Sequence, residues 1–171
     1  MAEKRLPDPT LIARLQLSVK GVDWATSLVR GQQHVQLEGE WSAHQNLYHL
    51  LAVERELYQP RIEAAVRDHA PVFESWDSNG IMANRYEKGT DLVELAEQFM
   101  VERERTVEVL KGLSPEQWLR TATWPSDGEV DLGWVAELVL SHGLQHFVAL
   151  LLIHQKLDHY HARSWVNAAH S

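Results

Sequence analysis

Residues 132–153 read LGWVAELVLSHGLQHFVALLLI, and the spacing of their apolar side chains indicates a helical fold. The apolar positions recur every three or four residues, which places them along one side of a long α-helix. That side is made by Leu132, Val135, Val139, His142, His146, Ala149 and Ile153. Two imidazoles therefore occupy a seam where a helical bundle ordinarily has leucine or valine.

The two seam histidines require partners. An imidazole buried without one costs about 1–3 kcal/mol. Residues four apart on a helix lie one above the other, so His142 and His146 can direct nitrogens at one metal ion. The H-x-x-x-H spacing is by itself a weak signal, and core histidines bonded to a carbonyl or carboxylate remain an alternative explanation.

A third imidazole is available from a second predicted helix. His49 lies at the rim of the apolar arc that contains Leu50, Val53 and Leu57, a position that suits a ligand beside a cavity. Glu54 falls within the same arc, where an unpaired carboxylate is costly. We therefore predict His49, His142 and His146 as metal ligands. Glu54 is a candidate fourth ligand, a partner of a ligand histidine, or a catalytic proton acceptor.

Four segments have helical periodicity, and none shows the sustained alternation of a β-strand. They cover about residues 9–31, 42–67, 90–112 and 131–157. Ser42 and Gln45 form a capping box at the start of the second helix, and Pro60 should kink it. Ser114-Pro115-Glu116-Gln117 predicts a short extra helix before the fourth long one. The predicted fold is all-α, a four-helix bundle with a long connection between its second and third helices.

The remaining segments are assigned from their position and charge. The connection, residues 68–89, either covers the bundle as ordinary structure or forms a lid over a pocket. The charged run Glu102–Arg105 is interpreted as a solvated helix face, and Trp41 as a hydrophobic staple before the cap. The bundle domain is predicted over residues 8–157, followed by a polar tail over residues 158–171.

Composition excludes several classes of function. The 171 residues include no cysteine, so any metal must be held by nitrogen or oxygen. A formal charge of −8 opposes the phosphate contacts that drive nucleic-acid binding. Residues 1–9 lack the apolar core of a secretory signal, and the longest purely apolar run, Phe147–Ile153, is far below the roughly 20 residues of a membrane span. We expect a cytoplasmic protein that binds neither nucleic acid nor membrane.

The order of these motifs resembles the DinB/YfiT-like superfamily over residues 8–157. Trp41-Ser42 followed by His49-Leu50 and Glu54 is similar to the start of that family's second helix. Leu113-Ser114-Pro115 resembles the segment that leads into the C-terminal part of the family's fold. Gly128–Leu132 followed by His142-Gly143-Leu144-Gln145-His146 resembles the family's last helix.

The resemblance implies a four-helix bundle in which His49, His142 and His146 bind nickel, zinc, iron or another divalent ion, commonly as a homodimer. It also implies a thiol S-transferase that uses a low-molecular-weight thiol as cosubstrate, or a metal-dependent hydrolase, in either case acting on a small-molecule substrate. Several relatives have Arg, Gly or Gln directly after the last ligand, whereas Phe147, Val148 and Ala149 follow here.

Two further hypotheses belong to other classes. One is a non-enzymatic metal-binding or dimeric bundle with a stress-related binding role, which predicts a saturated coordination sphere. The other is a metal-free bundle whose histidines bond to buried carboxylates. The distance between the three rings, and what else they contact, separates this last hypothesis from the others.

Overall fold

In the computed structural model, which describes residues 6–168 and side chains as far as residue 159, four long helical rods form the predicted bundle. The helices are α1 (Leu11–Val29), α2 (Ala43–Val53), α3 (Gln59–Arg67), α4 (Ser78–Asn84), α5 (Leu92–Lys111), α6 (Pro115–Trp118) and α7 (Leu132–Ala168). The rods are α1, α2 continued by α3, α5, and α7. A 3-10 turn, Arg30–Gln32, closes α1 beside the predicted stop at Gly31.

Side-chain caps begin five of the seven helices, among them α2, α5 and α6. The Ser42 hydroxyl accepts from the Gln45 amide and the Gln45 side chain accepts from the Ser42 amide, which is the predicted capping box. Ser114 and Gln117 repeat this arrangement at α6. Asp91 accepts from the Val93 amide at the start of α5. Each cap satisfies backbone donors that have no partner within the helix.

A π-helical turn, Glu54–Tyr58, joins α2 to α3 without breaking the rod. Its cause is Pro60, which has no amide hydrogen to donate to the carbonyl four residues earlier. The Gln59 amide instead donates to the Glu54 carbonyl, five residues back. The extra residue in this turn rotates the helix face, and both Glu54 and Tyr58 are buried.

A short β-hairpin precedes α7, which the sequence analysis did not predict. Strands β1 (Thr121–Trp124) and β2 (Gly128–Asp131) pair antiparallel around a turn, and Gly128 has the left-handed φ of 74°. The long connection adds to the hairpin through a parallel bridge between Val72 and Thr123. It also packs on α2, where the Tyr48 hydroxyl donates to the Arg85 carbonyl.

A polar layer divides the bundle interior between two apolar clusters. One cluster contains Leu11, Leu15, Ile62, Leu110 and Val139. The other contains Val22, Leu47, Phe99, Leu150 and Ile153. Between them along the rods lie Ser18, His49, Glu54, Arg103, Thr106, His142 and His146. The layer puts costly buried polar groups together, so that they can serve as one another's partners.

The last helix is longer than predicted. It continues from Leu132 to Ala168 rather than ending near Leu157, so residues 158–168 of the predicted polar tail extend α7, and residues 169–171 lie outside the described part. Among the described residues, one helical stretch, Leu132–His159, has the length and apolar composition of a membrane span, and 39% of its apolar window is buried in the bundle. A core helix of a bundle can meet the same criteria.

Candidate metal centre

Three imidazoles from α2 and α7 converge in the polar layer. His49 Nε2 lies 3.2 Å from His142 Nε2, and His146 Nε2 lies 3.1 Å from the same atom. The ligand nitrogens of all three residues fall within 4.8 Å of one another. His142 and His146 meet because they are one helical turn apart, and His49 faces them across the contact between the two helices. The predicted convergence is therefore present.

The neighbours of Asn46 fix the orientation of the His146 ring. Asn46 Nδ2 donates to the carbonyls of Ser42, at 2.9 Å, and Trp41, at 3.3 Å. Both partners are acceptors only, so the amide oxygen must face the other way, toward His146 Nδ1 at 2.9 Å. His146 Nδ1 consequently carries the hydrogen and donates to Asn46 Oδ1. The lone pair of His146 Nε2 then points at the centre of the triad.

Hydrogen bonds among the three rings do not satisfy them. If His142 Nε2 carries a hydrogen, it can donate to only one of the two facing nitrogens, and the other lone pair has no donor. The Nδ1 atoms of His49 and His142 are buried without a hydrogen-bond partner among the described residues. A divalent cation would accept a lone pair from each Nε2 atom, so the donor set fits a metal site built from imidazole nitrogens.

Burial keeps the three rings neutral. It lowers the pKa of His49, and it lowers the pKa of His142 to about 3 and of His146 to about 4. The neighbouring imidazoles contribute to both of these values, and the Arg103 guanidinium contributes to that of His142. Neutral imidazole is the form that binds metal ions. The site can therefore offer three lone pairs well below neutral pH.

Aromatic rings enclose the triad. The Trp41 indole lies parallel to the His146 ring at 6.4 Å and tilted against His49 at 5.0 Å. Tyr58 packs edge-on against His142 at 5.8 Å. Because of this cover only 7% of His49 is exposed, whereas the helical periodicity had placed it at the rim. Trp41 thus contacts two of the candidate ligands, a role the sequence analysis did not predict.

Comparison with known proteins identifies the family. The sequence profile of the DinB superfamily matches residues 17–148, which include all three histidines. The chain belongs to the DinB superfamily. No curated protein matches it in sequence.

Two solved structures share the fold of this superfamily member. YfiT from Bacillus subtilis, described as a probable metal-dependent hydrolase with an unusual four-helix bundle topology, superposes with a TM-score of 0.80 at 15% identity, over 92% of this chain and 94% of its own. The DinB-like protein YjoA, also from Bacillus subtilis, gives a TM-score of 0.60 at 15% identity, over 87% of this chain and 92% of its own. The match to YfiT confirms the predicted four-helix bundle.

Glu54 lies deeper in the polar layer of this DinB superfamily bundle than the three rings do. Its Oε2 atom is 2.7 Å from Arg103 Nη2, and both side chains are completely buried. Thr106 donates its hydroxyl hydrogen to Glu54 Oε1 at 2.5 Å. The carboxylate is thus engaged by a guanidinium and a hydroxyl, and it is not among the groups that cluster with the imidazoles. The catalytic role proposed for Glu54 stays a prediction.

Arg103 corrects the interpretation of the charged run Glu102–Arg105. The side chain of Arg103 is buried rather than solvated, and its guanidinium carbon lies 5.1 Å from the Phe99 ring. A Cβ atom on Gly143 would lie 3.2 Å from Arg103 Nη1. Gly143, between the two ligand positions of α7, therefore leaves room for this side chain.

Two other histidines are engaged away from the triad. His44 is fully buried: its Nε2 hydrogen is donated to the Thr90 carbonyl at 2.7 Å, and its Nδ1 lies 2.8 Å from the Tyr86 hydroxyl. It is a packing residue that ties the long connection to α2. His154 is partly exposed and lies 3.3 Å from the Asp158 carboxylate. Among the described residues, His49, His142 and His146 form the only group of three or more His, Asp or Glu side chains placed to hold one metal ion.

Proposed function

We propose that the protein is a divalent-metal-dependent enzyme that acts on a small molecule, with His49, His142 and His146 as the ligands. The observation that supports this proposal is the convergence of three Nε2 atoms, one of which has its lone pair fixed toward the others by Asn46. A carboxylate-bonded, metal-free triad is disfavoured, because the hydrogen bonds described for these rings go to Asn46 and to one another.

Held by the three neutral imidazoles, a divalent ion would lower the pKa of water or of a thiol bound to it. The chain itself holds the ligand geometry. Asn46 sets the tautomer of His146, Trp41 and Tyr58 pack against the rings, and the Glu54–Arg103 ion pair lies in the same polar layer. Because the sequence has no cysteine, a thiol nucleophile would have to enter as a cosubstrate.

Both reactions considered from the sequence use this arrangement. In hydrolysis, water attacks an electrophilic carbon and the leaving group departs with its electron pair. In thiol transfer, the sulfur of a low-molecular-weight thiol replaces the leaving group, and the thiol proton is released. Nickel, zinc and iron are all compatible with ligands that are entirely nitrogen. We further propose a homodimer, which is supported by the resemblance to the DinB/YfiT-like proteins, and, from the sequence, a cytoplasmic location.

The first test measures metal content. Protein loaded with zinc or nickel and then dialysed is expected to retain one ion per chain. His142→Ala should lose it, because two imidazoles remain from two different helices. His154→Ala is the matched control, since this histidine lies on the same helix but pairs with Asp158. Equal metal content in wild type and His142→Ala would contradict the proposal.

The second test measures chemistry. Metal-loaded protein is incubated with a thiol and a chlorinated arene, and separately with an aryl ester in the absence of thiol. The proposal expects at least one rate to exceed that of His142→Ala. Spectra of the cobalt-substituted protein with and without thiol then separate an enzyme from a non-enzymatic bundle, because a saturated coordination sphere would not respond to thiol.

A further inference from the structure

A groove of about 460 Å³ lies beside the triad, between the loop before α2 and the last helix. Its walls include Trp41 and Asn46 on one side and Ala149, Leu152 and Ile153 on the other. Its volume is within the usual range of small-molecule sites, about 300–1,000 Å³.

The inner wall of the groove is shared with the metal centre. Asn46 holds His146 through a hydrogen bond of 2.9 Å, and Trp41 contacts the rings of both His146 and His49. A molecule lying in the groove would therefore contact the residues that position two of the three ligands. This continuity connects the groove to the site proposed above.

The groove offers apolar surface rather than charge. The polar atoms of Asn46 are already bonded to Trp41, Ser42 and His146. The carboxylate of Glu40, also in the groove wall, is paired with Lys156. What remains is the indole ring and the aliphatic side chains of Ala149, Leu152 and Ile153. Ala149 occupies a seam position, and a larger residue there would fill the space.

We infer that this groove binds a planar apolar group of the substrate, of about the size of a phenyl ring, while the reactive end of the molecule reaches the triad. The inference rests on the proposed function and specifies its substrate class. Favourable contact would come from the indole of Trp41 and from apolar surface removed from water. Aryl electrophiles and aryl esters are thus expected to bind better than their methyl counterparts.

The test compares two probes with the same metal-binding group. Benzohydroxamate and acetohydroxamate differ by phenyl against methyl, and each is titrated into the cobalt-loaded protein while its visible absorption spectrum is followed. Each affinity is divided by that of the same hydroxamate for free cobalt, which removes the intrinsic difference. Benzohydroxamate is expected to bind about tenfold tighter or more after this correction.

Two groove variants and one matched control complete the experiment. Ala149→Phe should remove the preference for benzohydroxamate while cobalt content and acetohydroxamate affinity are retained. Leu152→Asp, at a position 45% exposed and thus tolerant of substitution, should reduce the preference several-fold. Val101→Phe adds a ring on the exposed face of α5 and should leave both affinities unchanged.

The outcomes distinguish this inference from the function on which it rests. Stoichiometric cobalt and acetohydroxamate binding without a preference for the phenyl probe would overturn the groove alone. A preference that survives in both Ala149→Phe and Leu152→Asp would do the same, since the phenyl group would then bind elsewhere. Failure of wild type to retain cobalt would overturn the metal proposal, and the groove inference with it.

Discussion

Asn46 is the residue whose hydrogen bonds determine how one candidate ligand, His146, faces the other two imidazoles. Its amide is held by two backbone carbonyls, and this leaves its oxygen to receive the Nδ1 hydrogen of His146. Partners of this kind fix the tautomer and rotation of a ligand histidine, and their loss typically weakens metal binding about 10–100-fold.

We expect Asn46→Ala to weaken zinc affinity by about 10–100-fold while one ion per chain still binds at saturation. Affinity can be measured by competition with a chromophoric chelator. Asn84→Ala is the control, because that amide donates only to the Gly80 carbonyl on an exposed helix. An unchanged zinc affinity in Asn46→Ala would show that the His146 ring is held by packing alone.

The buried imidazoles also predict how acid affects the metal-free protein. Histidines in the unfolded chain take up protons near pH 6.5, whereas burial lowers the folded pKa of His142 to about 3 and of His146 to about 4. Between these values the unfolded state binds more protons, so the free energy of unfolding falls as pH falls. Lowering the pH from 7.5 to 5 should cost about 1–2 kcal/mol per ring.

Urea unfolding of chelator-treated protein at the two pH values measures this loss. The double variant His142→Ala and His146→Ala should show a smaller difference between pH 7.5 and pH 5 than wild type does. His154→Ala, which changes a partly exposed ring, should behave like wild type. Equal pH dependence in wild type and the double variant would mean that these rings are protonated in the folded protein.

At the residue scale, the sequence predicted which histidines face the bundle interior better than it predicted which side chains contact one another. His142 and His146 could be identified because helical spacing alone puts them in an apolar seam, and His49 because a second amphipathic helix supplies it. Arg103 could not be identified as a buried residue from the sequence. A run of alternating charges predicts a solvated helix face unless the buried carboxylate that pairs with it, on another helix, is known. Trp41 and Asn46 act through side-chain geometry near the α2 cap, which periodicity does not determine.

Between helical elements, the contact with the largest expected energetic consequence is the buried pair of Glu54 and Arg103. It joins the π-helical turn to α5, and both side chains are 0% exposed. Removing one member of a buried pair leaves an uncompensated charge and costs about 3–5 kcal/mol, whereas replacing both with apolar residues is often neutral. The pair therefore selects this contact between the two helices, and its net contribution to the free energy of unfolding is small.

Arg103→Met is accordingly expected to lower the free energy of unfolding by about 3–5 kcal/mol, and adding Glu54→Leu should restore most of the loss. Arg85→Met is the matched control. Arg85 forms a two-pronged but exposed pair with Glu56, and its loss should change the free energy of unfolding far less than the loss of Arg103 does. Urea unfolding of chelator-treated protein gives these values. Additive effects in the double variant would contradict a direct coupling.

The helices themselves could be predicted because their ends carry local signals. Ser42 with Gln45, Asp91, and Ser114 with Pro115 begin helices through bonds between residues close in sequence. The hairpin before α7 could not be predicted, because strands of four residues are too short to show alternation of apolar and polar side chains. One of the two strands also pairs with Val72, which is distant in sequence. The rotation of α3 about its axis depends on the π-helical turn that precedes Pro60, whereas the sequence indicated only a kink there.

For the molecule as a whole, the exposed apolar residues are unevenly distributed. Five large ones lie on α1 and α7, which pack together through Phe147 against Gly21. They are Leu17, Trp24, Leu144, Val148 and Leu152, of which Leu152 lines the groove beside the triad and is not assigned to the interface. An exposed apolar patch on a folded chain commonly marks an interaction site. Most oligomers of identical chains are dimers in which the same patch of each copy meets the other.

We therefore expect the protein to be a homodimer that joins through α1 and α7. Leu144→Lys combined with Val148→Lys should convert it to a monomer, because two charges per chain would be buried against an apolar partner. Val72→Lys is the control, since that side chain is 72% exposed on the long connection, away from both helices. Sedimentation equilibrium measures the mass, and metal content should be unchanged because all three ligands come from one chain. A monomeric wild type would contradict the assembly, and a double variant that stays dimeric would place the interface on another face of the bundle.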